Sequence, residues 1–279
     1  MKIGFNMLLW TSHVQPQHQT QFEALKGAGY DGVEIPLLEG DPGHYEALGR
    51  QLDDLGLERT ALTVIPDAAS SPIGAGGQQG AVKHLGWALE CAQALGSPIL
   101  AGPMHSPLGK FSGVAATADE SQRGIDTHRV VGDIAARHGV TLALEALNRF
   151  ECYFLNTIDD LGAYLDAVDH PSVRGMYDSF HANVEEKDAK GAIARNIRHI
   201  AHVHVSENDR GTPGRGHIDL KGEIQALKAA GYDGWLTIEA YSRALPGLAA
   251  ATSVWRDFFP SLDQVWQEGI VTTRQGWEG

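Results

Sequence analysis

The sequence predicts a single (β/α)8 barrel over residues 1–279, and three observations carry that prediction. A length of 279 residues is long for an ordinary domain and usual for an α/β barrel of about 250 residues. Short, nearly continuous apolar runs alternate eight times with amphipathic helical stretches, the pattern of a parallel sheet covered by helices. Four of the later runs end in a carboxylate or an imidazole: TLALEAL (141–147), RGMYDSF (174–180), HVHVSE (202–207) and WLTIEAY (235–241). A closed barrel brings every strand's C-terminal end to one rim, so four consecutive strands can converge there; a doubly wound open sheet would divide them about a switch point.

The elements follow in order. Lys2–Leu9 reads as the first strand, and polar Thr11–Gln21 leads into a helix at Phe22–Ala28. Gly32–Leu37 is the second strand, followed by a helix at Tyr45–Leu55. Thr60–Ile65 is the third; the loop SSPIGAGGQQ (70–79) then precedes a helix at Ala81–Leu95. Pro98–Met104 and Gln122–His138 form the fourth pair, Thr141–Leu147 and Thr157–Val168 the fifth, Val173–Phe180 and Ala189–Ile197 the sixth. Ile200–Glu207 runs into a second long loop, SENDRGTPGRG (206–216), before a helix at Lys221–Ala230. Trp235–Tyr241 and a helix at Ser253–Gln267 complete the set. Gly29, Gly56, Gly96, Gly139 and Gly231 each follow a helical run, where a left-handed cap favours a residue without Cβ. AGYDGVEI (28–35) and AGYDGWLTIE (230–239) use one helix-stop-then-strand device twice, in keeping with like units.

Composition narrows the function. Charged residues make up 20% and apolar residues 43% of the chain, so it can bury a sizeable core, and the formal charge of -13 opposes a nucleic-acid backbone or an anionic membrane as partner. Cys91 and Cys152 lie in different elements and outside any CxxC, so neither a disulfide framework nor a thiolate zinc site is expected. The N-terminus lacks a signal-like cleavage site and no run approaches the ~18 apolar residues of a spanning helix, which points to a cytoplasmic protein. Gly74, Gly76 and Gly77 fail the G-x-G-x-x-G spacing because Gln79 occupies its last position, and no GxxxxGK[ST] is present.

Glu145, Asp178, His204 and Glu239 are therefore the candidate ligands of one divalent ion. A buried carboxylate at a strand end is costly unless it is paired or bound to metal, and each residue alone is equally explained by a salt bridge. Together they form a hard oxygen set with one nitrogen, which suits Mn²⁺, Mg²⁺ or Co²⁺. His202 shares the strand face of His204 but lies further from the strand end.

The segments LEALNRFE (144–151), YDSFHANVEE (177–186), HVHVSENDRGTPGRGHID (202–219) and TIEAY (237–241) resemble the signatures of the ketose 3-epimerases, the D-tagatose 3-epimerase-like group of the xylose isomerase-like barrels, with AATSVWRDF (250–258) adding to the likeness. The resemblance implies a metal on Glu145, Asp178, His204 and Glu239, with Glu145 and Glu239 also moving the proton. Epimerising a free ketose at C3 removes a proton next to the C2 carbonyl, so carbonyl polarisation and one carboxyl on each face of a cis-enediolate meet the chemistry. The resemblance further implies sugar contacts from Glu151, His181, Arg210 and Trp10, leaves His105 in GPMHSPLG (102–109) free to face the ligand, and suggests a homodimer or homotetramer. His217 and Asp219 are expected to order their loop and cap the next helix.

The first half departs from the best-known members. Asn6 stands where they carry an aromatic residue, Leu62 where they carry a cysteine and Val14 where some place a tryptophan, positions that implicate the sugar's C4–C6 end. An aldose–ketose or hydroxypyruvate isomerase shares the same core, as does an inosose isomerase or dehydratase. An abasic-site endonuclease needs three zincs and a grip on phosphates that the acidic charge opposes. A non-catalytic sugar-binding barrel is a further reading, opposed by the presence of both acid/base glutamates.

Overall fold

The computed structural model describes residues 1–279. Its eight parallel strands are β1 (Lys2–Asn6), β2 (Gly32–Pro36), β3 (Glu58–Leu62), β4 (Ile99–Gly102), β5 (Thr141–Glu145), β6 (Val173–Asp178), β7 (Ile200–Val205) and β8 (Trp235–Ile238). They close in sequence order, with β8 paired to β1, into a single (β/α)8 barrel. Each strand stops short of its predicted end, because the chain leaves the ladder at once for a rim loop. After β1, for example, Met7–Leu9 is a 3₁₀ turn capped by Asn6.

The helices are α1 (Gln19–Ala28), α2 (Pro42–Leu55), α3 (Gln78–Leu95), α4 (Ala118–His138), α5 (Ile158–Val168), α6 (Ser179–Glu185), α7 (Ala189–Asn196), α8 (Leu220–Ala229), α9 (Pro246–Ala251) and α10 (Leu262–Glu278). All five predicted stop glycines have positive φ, between 62° and 92°. Asp219 caps α8 by accepting from the Gly222 N–H, as expected. The predicted helix at Ser253–Gln267 is a correction: residues 252–261 are irregular and α10 starts at Leu262. Pro260 cannot join a helical ladder and disfavours helix at Phe259, while Ser261 accepts from the Gln264 N–H and starts α10 afresh. The short α6 was not anticipated; Asp178 starts it by accepting from the His181 N–H.

A contiguous apolar core lies between the strands and their covering helices. Inside the ring, a small cluster of Ala101, Ala143 and Met176 fills the β4–β6 side. The register places Asn6 beside Glu34 and Glu34 beside Thr60, and it sets Glu145 beside Met176 and Asp178 beside His204. The register thus sets polar side chains beside one another on neighbouring strands. No helix is long and apolar enough to cross a membrane.

At the opposite end, the Trp235 ring lies over Gly4 and Gly32. A Cβ on Gly32 would meet the Glu58 carbonyl oxygen at 2.3 Å and the Trp235 ring at 2.6 Å. Gly32→Ala is expected to cost about 1–3 kcal/mol through overpacking against backbone. Denaturant unfolding measures this, and an unchanged midpoint would refute the close-approach explanation.

Candidate active site

The C-terminal ends of β5 to β8 bring Glu145, Asp178, His204 and Glu239 together, all buried. Two overlapping groups share Asp178: Asp178, His204 and Glu239 form one, and Glu145, Asp178 and His181 the other, each with donor atoms within 4.8 Å. His204 Nδ1 has no hydrogen-bond partner and lies 3.4 Å from Glu239 Oε1 and 3.7 Å from Asp178 Oδ2. Asp178 is held by the His181 N–H on Oδ1 at 3.0 Å and by the Ser206 hydroxyl on Oδ2 at 3.1 Å. Three crowded, buried carboxyls around an unpartnered imidazole nitrogen form a donor set that fits a hard or borderline dication.

The electrostatics agree with that fit. Burial, then the Asp178 and Glu239 charges, raises the Glu145 carboxyl well above its ordinary range against the pull of His204. Burial and the charge of Glu239 push Asp178 up to about 6. For Glu239, burial is outweighed by His204 and Arg210, which hold it below the usual range. For His204, burial is outweighed by Glu34 and Glu239, which raise it well above the usual imidazole range.

Glu34, in the middle of β2, was not among the predicted site residues. It is fully buried and receives His204 Nε2 on Oε1 at 2.6 Å, Asn6 Nδ2 on Oε1 at 3.2 Å and the Thr60 hydroxyl on Oε2 at 2.9 Å. His202 Nε2 stands 2.8 Å from Oε2, outside hydrogen-bond alignment. Burial disfavours the Glu34 carboxylate, but His204 and His202 together hold its carboxyl well below the ordinary range.

The donors open into a cavity of about 290 Å³. Its lining combines Glu145, Glu151, His181, His204, Arg210 and Glu239 with aliphatic side chains that include Leu8, Leu38, Leu62, Val64, Leu108 and Leu248. His181 Nδ1 accepts from the Asn148 N–H and faces the Asn148 amide nitrogen, both at 3.0 Å, so the ring proton resides on Nε2. That nitrogen lies 3.5 Å from Glu145 Oε1 and 3.3 Å from Arg210 Nη2. Burial, then the Arg210 charge, holds His181 well below the usual range, so the ring is neutral.

Arg210 stacks over Phe180 at 4.1 Å and Tyr241 at 5.0 Å, and its Nη2 donates to Glu151 at 2.8 Å. Its Nε has no protein partner. Its φ of 60°, uncommon for a non-glycine residue, is held by the surrounding loop. Glu207, buried beneath that loop, pins it by accepting from the N–H groups of Asn208, Gly214 and Ile218.

Three expectations need correction, and one holds only in part. His105 does not face the cavity: it is fully buried, with Nε2 against the Glu145 carbonyl and Nδ1 against the Ser106 hydroxyl, both at 2.9 Å. Trp10 lies outside the cavity lining and packs on Phe5 at 5.0 Å. Val14 is buried in the apolar core. Of the residues expected at the sugar's far end, Leu62 lines the cavity, whereas Asn6 is buried beneath the donor cluster and binds Glu34 and Glu239.

A family model described as "Xylose isomerase-like TIM barrel" matches residues 22–268. A probable ketose 3-epimerase of Synechocystis sp. is 30% identical, covering all of this chain and 97% of its own. An L-ribulose 3-epimerase of Methylomonas sp. is 33% identical over 89% of this chain and 87% of its own. The solved structure of D-psicose 3-epimerase with D-tagatose from Clostridium cellulolyticum H10 superposes with a TM-score of 0.91 at 26% identity, covering 99% of both chains. The chain belongs to the xylose isomerase-like TIM-barrel family, in its ketose 3-epimerase group. It is accordingly an isomerase-class enzyme.

The raised carboxyls and imidazole set a direction for metal uptake. An ion entering the cluster displaces protons from Glu145, Asp178 and His204, so apparent affinity rises with pH, by about tenfold per pH unit for each proton displaced. Calorimetric titration of metal-stripped protein with Mn²⁺ should therefore give much tighter binding at pH 7 than at pH 5. Equal affinity at both would contradict this donor set.

Proposed function

We propose that the protein epimerises free ketoses at C3, with Glu145 and Glu239 as the two proton-moving carboxyls. The observation that carries this reading is that both are buried, come from different strands and line one cavity around a shared donor cluster. They stand at the ends of β5 and β8, so a sugar lying between them would meet one carboxyl on each face. One takes the C3 proton from one face while the other returns a proton to the opposite face, and the roles exchange in the reverse direction.

Glu145, Asp178, His204 and Glu239 would hold Mn²⁺, or Mg²⁺ or Co²⁺ in its place. The bound ion would supply Lewis-acid polarisation of the C2 carbonyl and positive charge for the enediolate. His181, neutral with its proton on Nε2, offers a donor to a substrate oxygen beside Glu145. Arg210, braced by Phe180 and Tyr241, offers its free Nε–H, and Glu151 is held by Arg210 and Asn148 to accept from a sugar hydroxyl. Arg210 is the sole Lys or Arg in the lining and already pairs with Glu151, so the cavity suits an unphosphorylated sugar.

A ketose incubated with the Mn²⁺-loaded enzyme in D₂O is expected to gain deuterium at C3. Label confined to C1 would favour aldose–ketose isomerisation instead. Glu239→Gln should lower kcat by about 10²–10⁴-fold, and near-normal turnover would remove Glu239 from proton transfer.

The aliphatic part of the lining predicts substrate tolerance. A distal hydroxyl buried there without a partner costs about 1–3 kcal/mol, so a 6-deoxyketohexose should match or exceed its parent ketohexose in kcat/KM. A tenfold or greater loss on removing that hydroxyl would reveal specific polar recognition at the far end.

A further inference from the structure

We infer that Asn6 and Glu34 form a positioning pair that aims His204 and Glu239 at one point; the inference rests on the epimerase reading above. Every polar atom of the pair is engaged. Asn6 Oδ1 accepts from the Leu8 N–H at 2.9 Å, which settles the orientation of its amide. Its Nδ2 therefore faces two carboxylates, donating to Glu34 Oε1 at 3.2 Å and Glu239 Oε1 at 2.9 Å. Glu34 is fully buried and its Oε1 lies 2.6 Å from His204 Nε2, so it holds the imidazole proton on that nitrogen. Thr60 and His202 close around the other oxygen, Oε2.

The consequence is geometric. With Nε2 committed to Glu34, Nδ1 is the nitrogen that His204 turns toward an ion, and it lies 3.4 Å from Glu239 Oε1. Asn6 grips that same Oε1. The pair thus assigns the two oxygens of Glu239 separate work: Oε1 faces the ion with His204, and Oε2, outside Asn6's grip, exchanges the proton. Neither Asn6 nor Glu34 lines the cavity, so both act through the residues they hold.

The test compares wild-type, Glu34→Gln and Asn6→Leu proteins. Mn²⁺ binding to each metal-stripped protein is measured by calorimetry, steady-state kinetics on each Mn²⁺-loaded protein, and thermal unfolding on both forms. Glu34→Gln should weaken Mn²⁺ binding by about 10–100-fold, the effect usual for loss of a group behind a histidine ligand. Asn6→Leu should lower kcat by about 10–100-fold while KM stays within about threefold, as expected for an interaction that matters in the transition state. A purely structural role would lower thermal stability and leave Mn²⁺ affinity and kcat within about threefold of wild type, which overturns the proposal. Should the Glu34 variant fail to fold, ¹⁵N-histidine NMR of the Mg²⁺-loaded wild type decides: a proton on His204 Nε2 supports the pair, and a proton on Nδ1 overturns it. Wild-type protein that binds Mn²⁺ but exchanges no C3 proton refutes the epimerase reading alone, and the affinity and NMR results still decide the positioning.

Discussion

Four carboxyl groups, Glu34, Glu145, Asp178 and Glu239, are buried at one end of the barrel within reach of three imidazoles, those of His181, His202 and His204, and one guanidinium. Desolvation makes such a cluster costly, and mutual repulsion among Glu145, Asp178 and Glu239 adds to the cost. Much else at the rim answers this constraint. Asn6, Thr60 and Ser206 donate to carboxylates, His204 stands between Glu34 and Glu239, and Arg210 is sandwiched by rings that keep its charge near the cluster. The unpartnered Nδ1 of His204 marks the point where protein groups alone do not complete the balance, and there a dication fits.

The fold supplies the precision such a cluster requires. Ladder pairing sets Asn6, Glu34 and Thr60 at one height and Asp178 with His204 at another, so hydrogen bonds between strands arise from register without help from flexible loops. Where a loop does contribute, it is braced: Glu207 pins the segment that carries Arg210, and Asn148 orients both His181 and Glu151. Charge in the cavity then divides by strand. The ends of β5 to β8 bring all the charged side chains of the lining, while aliphatic side chains come from both halves of the chain. A substrate with a polar reacting end and a loosely recognised tail suits that division.

Much of the candidate site was legible in the sequence because its residues break local rules. Glu145, Asp178 and Glu239 interrupt apolar runs, and a charge at such a place needs a reason. Glu34 breaks the same rule in DGVEIP, and the AGYDG repeat that leads to Glu239 also leads to Glu34, so the signal was present. What was missing was a way to tell a glutamate that lines the cavity from one that faces the outer nitrogen of a neighbouring histidine. That distinction depends on which imidazole lies across the barrel, 170 residues away in sequence. His105 and Trp10 illustrate the opposite error. Both lie where a strand gives way to a rim turn, and the direction of a side chain there follows the turn's backbone, which residue spacing does not encode.

The sequence by itself determined the eight-fold alternation, the glycine stops and the four strand-end donors, because periodicity, left-handed caps and the cost of buried charge are local properties. Only the tertiary structure decided which atoms of those donors meet. It turned Asn6 from an expected sugar contact into a clamp on Glu239, made Glu34 the partner of His204, and brought leucines into the cavity lining. Those outcomes depend on register around a closed ring and on contacts between residues distant in the chain, and closure of β8 onto β1 creates them.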